Sequence, residues 1–162
     1  MVPDSFTSYF TGSATAAGSL IGLLFVAIAL RPESVFGPKA TLSGQSLAGS
    51  AFTALVNAFF VSLIALIPGE NIGTGVIVLA GLSLLSTVRL HRKLRGKSGH
   101  LWLAFLSVAA FGLQAVVGVQ LLFANHTRGL VADLAYIIIA GFAVALGRAW
   151  ALVQGEHLRD SA

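Results

Sequence analysis

Long apolar runs alternate with short polar segments along the whole chain. A hydrocarbon core about 30 Å thick needs about 20 helical residues, since an α-helix rises about 1.5 Å per residue. Pro68 and Gly69 separate the second and third runs and predict a tight turn that makes these two helices a hairpin. The pattern predicts an all-α fold, one transmembrane domain of five helices over residues 9–30, 46–67, 72–90, 101–123 and 130–153.

Composition agrees with this pattern. The 162 residues are 56% hydrophobic and only 10% charged, whereas about a quarter of the residues in a soluble domain are charged. The mean hydropathy is +0.89. The chain has no cysteine, which excludes disulfides, thiolate metal sites and iron–sulfur clusters. We therefore predict a multi-pass membrane protein.

Basic residues are concentrated in the loop between the third and fourth helices. Five of the ten lie there, namely Arg89, Arg92, Lys93, Arg95 and Lys97. Such loops stay on the cytoplasmic side, so we predict an outside N-terminus and an inside C-terminus. This orientation leaves only Arg128 of the ten basic residues outside. Because topology explains the basic cluster, we predict no nucleic-acid binding; the loop is suited to anionic lipid headgroups.

Small residues recur every four positions on the first helix, at Ala14, Gly18 and Gly22. This spacing is typical of transmembrane helices whose backbones approach each other closely. We predict that Gly/Ala seams on the first, second and fifth helices close the bundle.

Polar residues also repeat every four positions on the second helix. The stripe consists of Gln45, Gly49, Thr53 and Asn57, and Gln114 on the fourth helix is its counterpart. On the fourth helix, Gln114 shares one face with Ser107 and Gly118. Two interpretations stay open: interhelical hydrogen bonds that hold the helices together, or the lining of a hydrated pathway.

Two charges lie closest to the predicted hydrocarbon region. Asp133 belongs to the first turn of the fifth helix, where it can anchor the helix at the interface, interact with the helix dipole, or form a pore mouth. Arg148 lies near the end of the same helix, and we predict that its long side chain extends to the interface.

Catalytic patterns are weak. Ser98-Gly99-His100 matches an element of phosphohistidine-forming membrane phosphatases over three residues only, without the second histidine and basic clamps that this chemistry needs. No histidine lies in the middle of a predicted span, which argues against a haem held by paired histidines. We predict no enzyme activity, no metal and no cofactor.

The first helix also carries a resemblance. The run from Ala14 to Leu30, followed by Arg31-Pro32, resembles the opening of small multi-pass bacterial membrane proteins, some of which are labelled modulators of a membrane-anchored AAA protease. The resemblance implies a bacterial inner-membrane location and brings no catalytic positions.

Two functional hypotheses follow. The first is a homo-oligomeric channel or small-solute pore, with the polar stripe of the second helix lining an axis between subunits. The second is a non-conducting scaffold or regulator that binds another membrane protein through the small-residue seams. Membrane lipids are expected partners in either case.

Overall fold

A computed structural model describes residues 2–30, 32, 42–69, 71–93, 101–124 and 128–160. These residues form five long α-helices and no β-strand, and all five helices are long and apolar enough to cross a membrane. This confirms the all-α prediction with five candidate spans, while the orientation stays a prediction. The helices are α1 (Thr7–Leu30), α2 (Leu42–Ala65), α3 (Ile72–Lys93), α4 (Leu101–Phe123) and α5 (Arg128–Asp160).

The helix ends follow local chemistry. Helix α1 ends at Leu30, directly before the Arg31-Pro32 pair, since the residue before a proline avoids the α conformation. Helix α5 continues to Asp160, beyond the predicted end at residue 153. A membrane-span prediction stops where the apolar run stops, whereas no proline follows Val153 to end the helix itself.

The predicted hairpin between α2 and α3 is present. Gly69 has a φ of +81°, a left-handed conformation that glycine adopts without steric cost. The side-chain Oδ1 of Asn71 accepts a hydrogen bond from the backbone N–H of Gly73 at 2.9 Å. This bond satisfies one of the unpaired N–H groups at the start of α3.

Helices α2, α3, α4 and α5 form a closed ring in which each packs against the next and α5 packs back on α2. Helix α1 lies outside this ring, against α2. It also reaches α5, because the Tyr9 hydroxyl donates a hydrogen bond to the Ala135 carbonyl oxygen at 2.8 Å. Of the five candidate spans α2 is the most buried, at 44%, so it is the inner helix of the bundle.

Neighbouring helices of the ring run antiparallel, which defines two ends of the bundle. The hairpin end holds the α2–α3 turn and the beginning of α5. The basic-loop end holds the end of α3 at Lys93 and the beginning of α4 at Leu101.

The hairpin half of the ring is filled by apolar side chains that are at most 4% exposed. We call this set the apolar plug: Val61, Val76, Val117, Leu121, Val131 and Leu134. The outward surface of the helices is apolar as well, and large exposed side chains include Phe25, Phe60, Val78, Val116 and Ile139. A soluble protein rarely exposes such a continuous apolar surface, whereas lipid tails would cover it.

The small-residue seams are only partly where the sequence predicts them. Ala14 is buried, a Cβ on Gly18 would lie 3.5 Å from the Phe59 ring, and Gly22 has open space around it. The four-residue spacing explains this outcome, because four residues turn a helix by about 400°, so that the stripe drifts about 40° at each step.

Small-residue seams are also predicted on the second and fifth helices. The second helix has a buried alanine face at Ala51, Ala54 and Ala58. The fifth helix has buried alanines at Ala135 and Ala145, whereas Gly141 and Gly147 have nothing within 4 Å of an added Cβ.

A close glycine contact joins α3 and α4 instead. A Cβ on Gly73 would lie 2.7 Å from the Gly118 carbonyl oxygen, and a Cβ on Gly118 would lie 3.2 Å from the Ile77 backbone nitrogen. These distances are too short for a side chain, so glycine at both positions allows the two backbones to approach.

Candidate functional site: a crevice between buried polar groups inside the helix ring

Two amide side chains meet in the interior of the bundle. Asn57 of α2 is 7% exposed and Gln114 of α4 is 1% exposed. The Asn57 Nδ2 donates to the Gln114 Oε1 at 2.7 Å, and the Gln114 Nε2 donates back to the Asn57 Oδ1 at 3.2 Å. This reciprocal pair, which we call the amide pair, bridges opposite members of the helix ring.

A third helix joins the amide pair. The Ser83 hydroxyl of α3 is buried and donates to the Asn57 Oδ1 at 3.3 Å. That distance is long for a bond from a hydroxyl group, so this is the weakest of the three. The three residues lie near the middle of their helices, and the polar cluster is therefore near the middle of the membrane if the helices span it.

A buried cation lies on the same interior face, closer to the basic-loop end. Arg148 of α5 is only 5% exposed, and its Nη2 donates to the Ser107 Oγ of α4 at 2.6 Å. The prediction that Arg148 extends to the interface is therefore wrong. Helix α4 covers this part of α5 and offers a hydroxyl group within reach, so the guanidinium turns inward.

A crevice of about 90 Å³ connects the two polar groups. It has room for about three water molecules, since each occupies about 30 Å³ in the liquid. Along α4 the crevice extends over two turns from Ser107 to Gln114, which is about 10 Å at 1.5 Å per residue. Its lining comes from α2, α4 and α5 and includes Ala54, Asn57, Ser107, Ala110, Gln114, Ile138, Gly141 and Arg148.

Among the described residues that line the crevice, Arg148 is the only charged one, and the other polar side chains are those of Asn57, Ser107 and Gln114. Toward the hairpin end the apolar plug begins about one turn beyond the amide pair, at Val61 and Val117. The interior thus has four polar side chains between the middle of the bundle and the basic-loop end, set among mostly apolar crevice walls, whereas apolar side chains fill the hairpin half. Such an arrangement can solvate a small polar or charged species, which it holds at one side of an apolar barrier.

The five candidate pore-lining residues do not share one surface. Asn57 and Gln114 lie in the crevice, whereas Thr53 is half-buried and its hydroxyl donates to the Gly49 carbonyl oxygen of its own helix at 2.9 Å. Gln45 is exposed. The stripe spans twelve residues, over which a four-residue repeat turns about 120° around the helix. Its two ends consequently face different surroundings.

Gln45 and Gly49 line a separate open cavity between α1 and α2. This cavity has a volume of about 420 Å³ and a largely apolar wall that includes Leu24, Phe25 and Phe52. It opens on the outer surface of the bundle and is distinct from the crevice.

The other predicted sites lie on the outside or beyond the described residues. Asp133 is exposed in an open groove between α4 and α5, beside Gln120 and Tyr136. Arg89 and Arg92 are exposed at the basic-loop end. The backbone of Lys93 ends α3. Arg95, Lys97 and the Ser98-Gly99-His100 motif lie outside the described residues.

Sequence reasoning missed Ser83 and the contact between Ser107 and Arg148. Ser83 is one of four hydroxyl residues on α3, beside Thr74, Ser86 and Thr87, and nothing in the spacing singles it out. Ser107 and Gln114 are seven residues apart, which places them on one helix face two turns apart. The sequence did contain a signal for the contact between Ser107 and Arg148. Arginines within membrane spans usually face the bundle interior, where the polar face of α4 offers a partner.

Comparisons with protein-family models, with curated proteins and with solved structures find no match for this chain. Within the part of the chain that the structure describes, no three histidine or acidic side chains are close enough together to hold a metal ion. The crevice itself is therefore the basis for a functional proposal.

Proposed function

We propose that the protein conducts a small polar solute or ion across a membrane, along a path through the centre of the α2–α5 ring. The crevice between the amide pair and Arg148 is the observation that carries this proposal. Buried amides and an arginine in a membrane-spanning bundle are energetically expensive and commonly mark substrate or ion pathways. Amide groups and hydroxyls can replace part of the hydration shell of a solute that enters.

This path differs from a pore on an oligomer axis. Helix α2 packs against α1, α3 and α5 and is the most buried span, so its polar residues are best placed to line a path within one subunit. Self-association is compatible with such a path but is not needed to form it. The positive-inside bias and the resemblance of the first helix support a bacterial inner membrane, with the basic-loop end toward the cytoplasm.

The apolar plug would be the closed gate of this path. Hydrophobic constrictions block ions and polar solutes because water leaves them. Opening requires the hairpin half to admit water, whereas the crevice half already offers the polar side chains of Asn57, Ser107, Gln114 and Arg148. A polar substitution in the plug should therefore increase conduction, and loss of the amide pair should decrease it.

The experiment compares Val117→Ser with Val116→Ser in proteoliposomes. The two valines are neighbours on α4, but Val117 is 4% exposed in the plug while Val116 is 53% exposed on the outer surface. Fluxes of urea, glycerol and potassium chloride would be measured by light scattering and by ion-sensitive dyes. Val117→Ser should raise the flux of at least one probe above the wild-type level, and Val116→Ser should leave it unchanged.

A second substitution tests whether the flux uses the crevice. Adding Asn57→Leu to Val117→Ser should remove the gain, because the path loses its central amide. Adding Thr53→Val should preserve it, since the Thr53 hydroxyl is bonded within its own helix. If Val117→Ser conducts none of the three probes, or if the gain survives Asn57→Leu, the proposal is wrong.

The scaffold or regulator hypothesis is supported by a different observation. Gly22 on α1 is exposed with open space around it, and α1 lies outside the helix ring. A partner helix could approach α1 at this position. Gly22→Leu should then reduce recovery of a partner protein in pull-downs from membranes, whereas Gly18→Leu would also disturb the internal contact with Phe59. Undiminished recovery with Gly22→Leu would count against a partner at this seam.

A further inference from the structure

We infer that a groove on the outer surface of the bundle binds one membrane lipid whose headgroup carries a primary ammonium group. This groove, which we call the α4–α5 groove, has a volume of about 470 Å³ and contains Gln120, Asp133 and Tyr136. Lipid binding there is independent of conduction, because the groove opens on the outside of the helix ring. Three features of the groove support it: the order of its polar and apolar residues, its depth in the membrane and its acceptor groups.

Polar and apolar residues are separated along the α4–α5 groove. The polar residues are Gln120 on α4 and Asp133 and Tyr136 on α5. The apolar residues toward the middle of the bundle are Leu113, Val116, Ile137 and Ala140. Because α4 and α5 run antiparallel, both helices place their polar residues at the hairpin end. A lipid has the same division between a polar headgroup and apolar chains.

The polar end of the groove lies at the level of lipid headgroups if the two helices span a membrane. Asp133 and Gln120 are each three residues inside the predicted spans 130–153 and 101–123, which is about 4 to 5 Å at 1.5 Å per residue. From Asp133 the groove extends seven residues to Ala140, or about 10 Å. One leaflet contributes about 15 Å to the hydrocarbon core. The groove therefore has the length for a headgroup and the upper part of an acyl chain.

The acceptor groups at the polar end favour an ammonium group. Asp133 is exposed in the groove, and the side chains of Gln120 and Tyr136 add an amide oxygen and a phenol oxygen to its carboxylate. Arg128 precedes Asp133 by five residues, which turns the helix by about 140°, and it does not line the groove. An ammonium group offers several N–H donors, and its bond to a carboxylate is stronger than one between neutral groups.

The same acceptors distinguish between headgroups. Phosphatidylethanolamine and phosphatidylcholine have the same net charge, but the choline nitrogen carries methyl groups in place of N–H hydrogens. Phosphatidylglycerol has an anionic headgroup, which a carboxylate repels. We therefore expect the α4–α5 groove to prefer phosphatidylethanolamine over both of the other lipids.

The first test measures lipid binding to the purified protein by native mass spectrometry in detergent. Each of the three lipids is added separately, with identical acyl chains. The wild type should bind one phosphatidylethanolamine about tenfold more tightly than either other lipid, the effect of one charge-assisted hydrogen bond. Asp133→Asn should reduce this preference to less than about twofold. Asp4→Asn should retain it, because Asp4 is an exposed carboxylate at the same end of the bundle that does not line the groove.

A second pair of variants tests whether the acyl chain lies in the groove. Ala140 is exposed and lines the groove, whereas its neighbour Ile139 is exposed on the surface beside it. Ala140→Trp should fill the groove and weaken the binding of phosphatidylethanolamine. Ile139→Trp adds the same side chain at an exposed position outside the groove and should leave binding unchanged.

Four outcomes would overturn the inference. The first three are equal binding of the three lipids by the wild type, an unchanged preference in Asp133→Asn, and equal binding by Ala140→Trp and Ile139→Trp. The fourth is a dimer in lipid-free detergent that dissociates in Ala140→Trp but not in Ile139→Trp. That result would assign the groove to a second copy of this chain instead of a lipid.

Discussion

The amide pair makes a quantitative prediction about stability that a double-mutant cycle can test. Asn57→Leu and Gln114→Met replace each amide by an apolar side chain of similar shape. Interhelical hydrogen bonds in membranes contribute about 0.6 kcal/mol on average, with a maximum near 1.7 kcal/mol. Asn57 takes part in three side-chain bonds and Gln114 in two.

The expected losses follow from these bonds. Asn57→Leu removes all three and should lower the free energy of unfolding by about 1.8 kcal/mol, or less because the Ser83 bond is long. Gln114→Met removes two and should lower it by about 1.2 kcal/mol. The double variant loses no bond beyond those already absent in Asn57→Leu, so the coupling energy should be about 1.2 kcal/mol.

The assay is reversible unfolding in lipid–detergent bicelles by titration with SDS, followed by tryptophan fluorescence. Gln120→Met is the matched control, because Gln120 is on the same helix but exposed; it should change the free energy of unfolding by less than about 0.5 kcal/mol. If the two single effects add to within about 0.5 kcal/mol, Asn57 and Gln114 do not interact and the reasoning about the crevice fails.

Three other predictions concern packing and topology. Gly118→Ala should lower the free energy of unfolding by about 1 to 3 kcal/mol relative to the control Gly112→Ala on the same helix. The reason is that an added Cβ crowds α3 only at Gly118. Equal Tm values for the two variants would contradict the close contact. Tyr9→Phe should cost about 0.6 kcal/mol through loss of its bond to α5, which SDS titration can detect, and no loss would mean that this bond does not form. The chain has no cysteine, so single cysteines can report the orientation. Lys97→Cys should react with an impermeant thiol reagent added on the cytoplasmic side, and Asn71→Cys with the reagent added on the outer side. The reverse pattern would invert the predicted orientation.

Much of the fold can be predicted from the sequence because hydropathy and backbone chemistry act locally. The lengths of the apolar runs, Pro32 after α1 and Gly69 in the hairpin turn all specify structure without knowledge of neighbouring helices. These signals place the five helices to within a few residues at most boundaries. Apart from the α2–α3 hairpin, they do not specify which helices are neighbours, and the ring with α1 outside depends on contacts between distant parts of the chain.

The candidate site was predictable only in part for the same reason. Asn57 and Gln114 are conspicuous because amides are costly in an apolar run, and they prove to be partners. Whether a stripe faces inward depends on small angular differences that accumulate along a helix, so that Gln45 and Gly22 lie on the exposed surface while Asn57 lies in the crevice. Arg148 was placed by its distance from the helix end, but its position in the structure depends on Ser107, which lies 41 residues earlier.

The separation of Asn57 and Gln114 along the chain has a consequence for biogenesis. They are 57 residues apart, and a ribosome synthesises about 5 to 20 residues per second. Helix α2 therefore emerges roughly 3 to 11 seconds before its partner on α4 exists. During that interval the Asn57 amide must form hydrogen bonds with the insertion machinery, with lipid headgroups or with Ser83 of α3. Ser83 is available because α3 is synthesised before α4. The order of synthesis thus favours an α2–α3 hairpin as the first folded unit, onto which α4 and then α5 close.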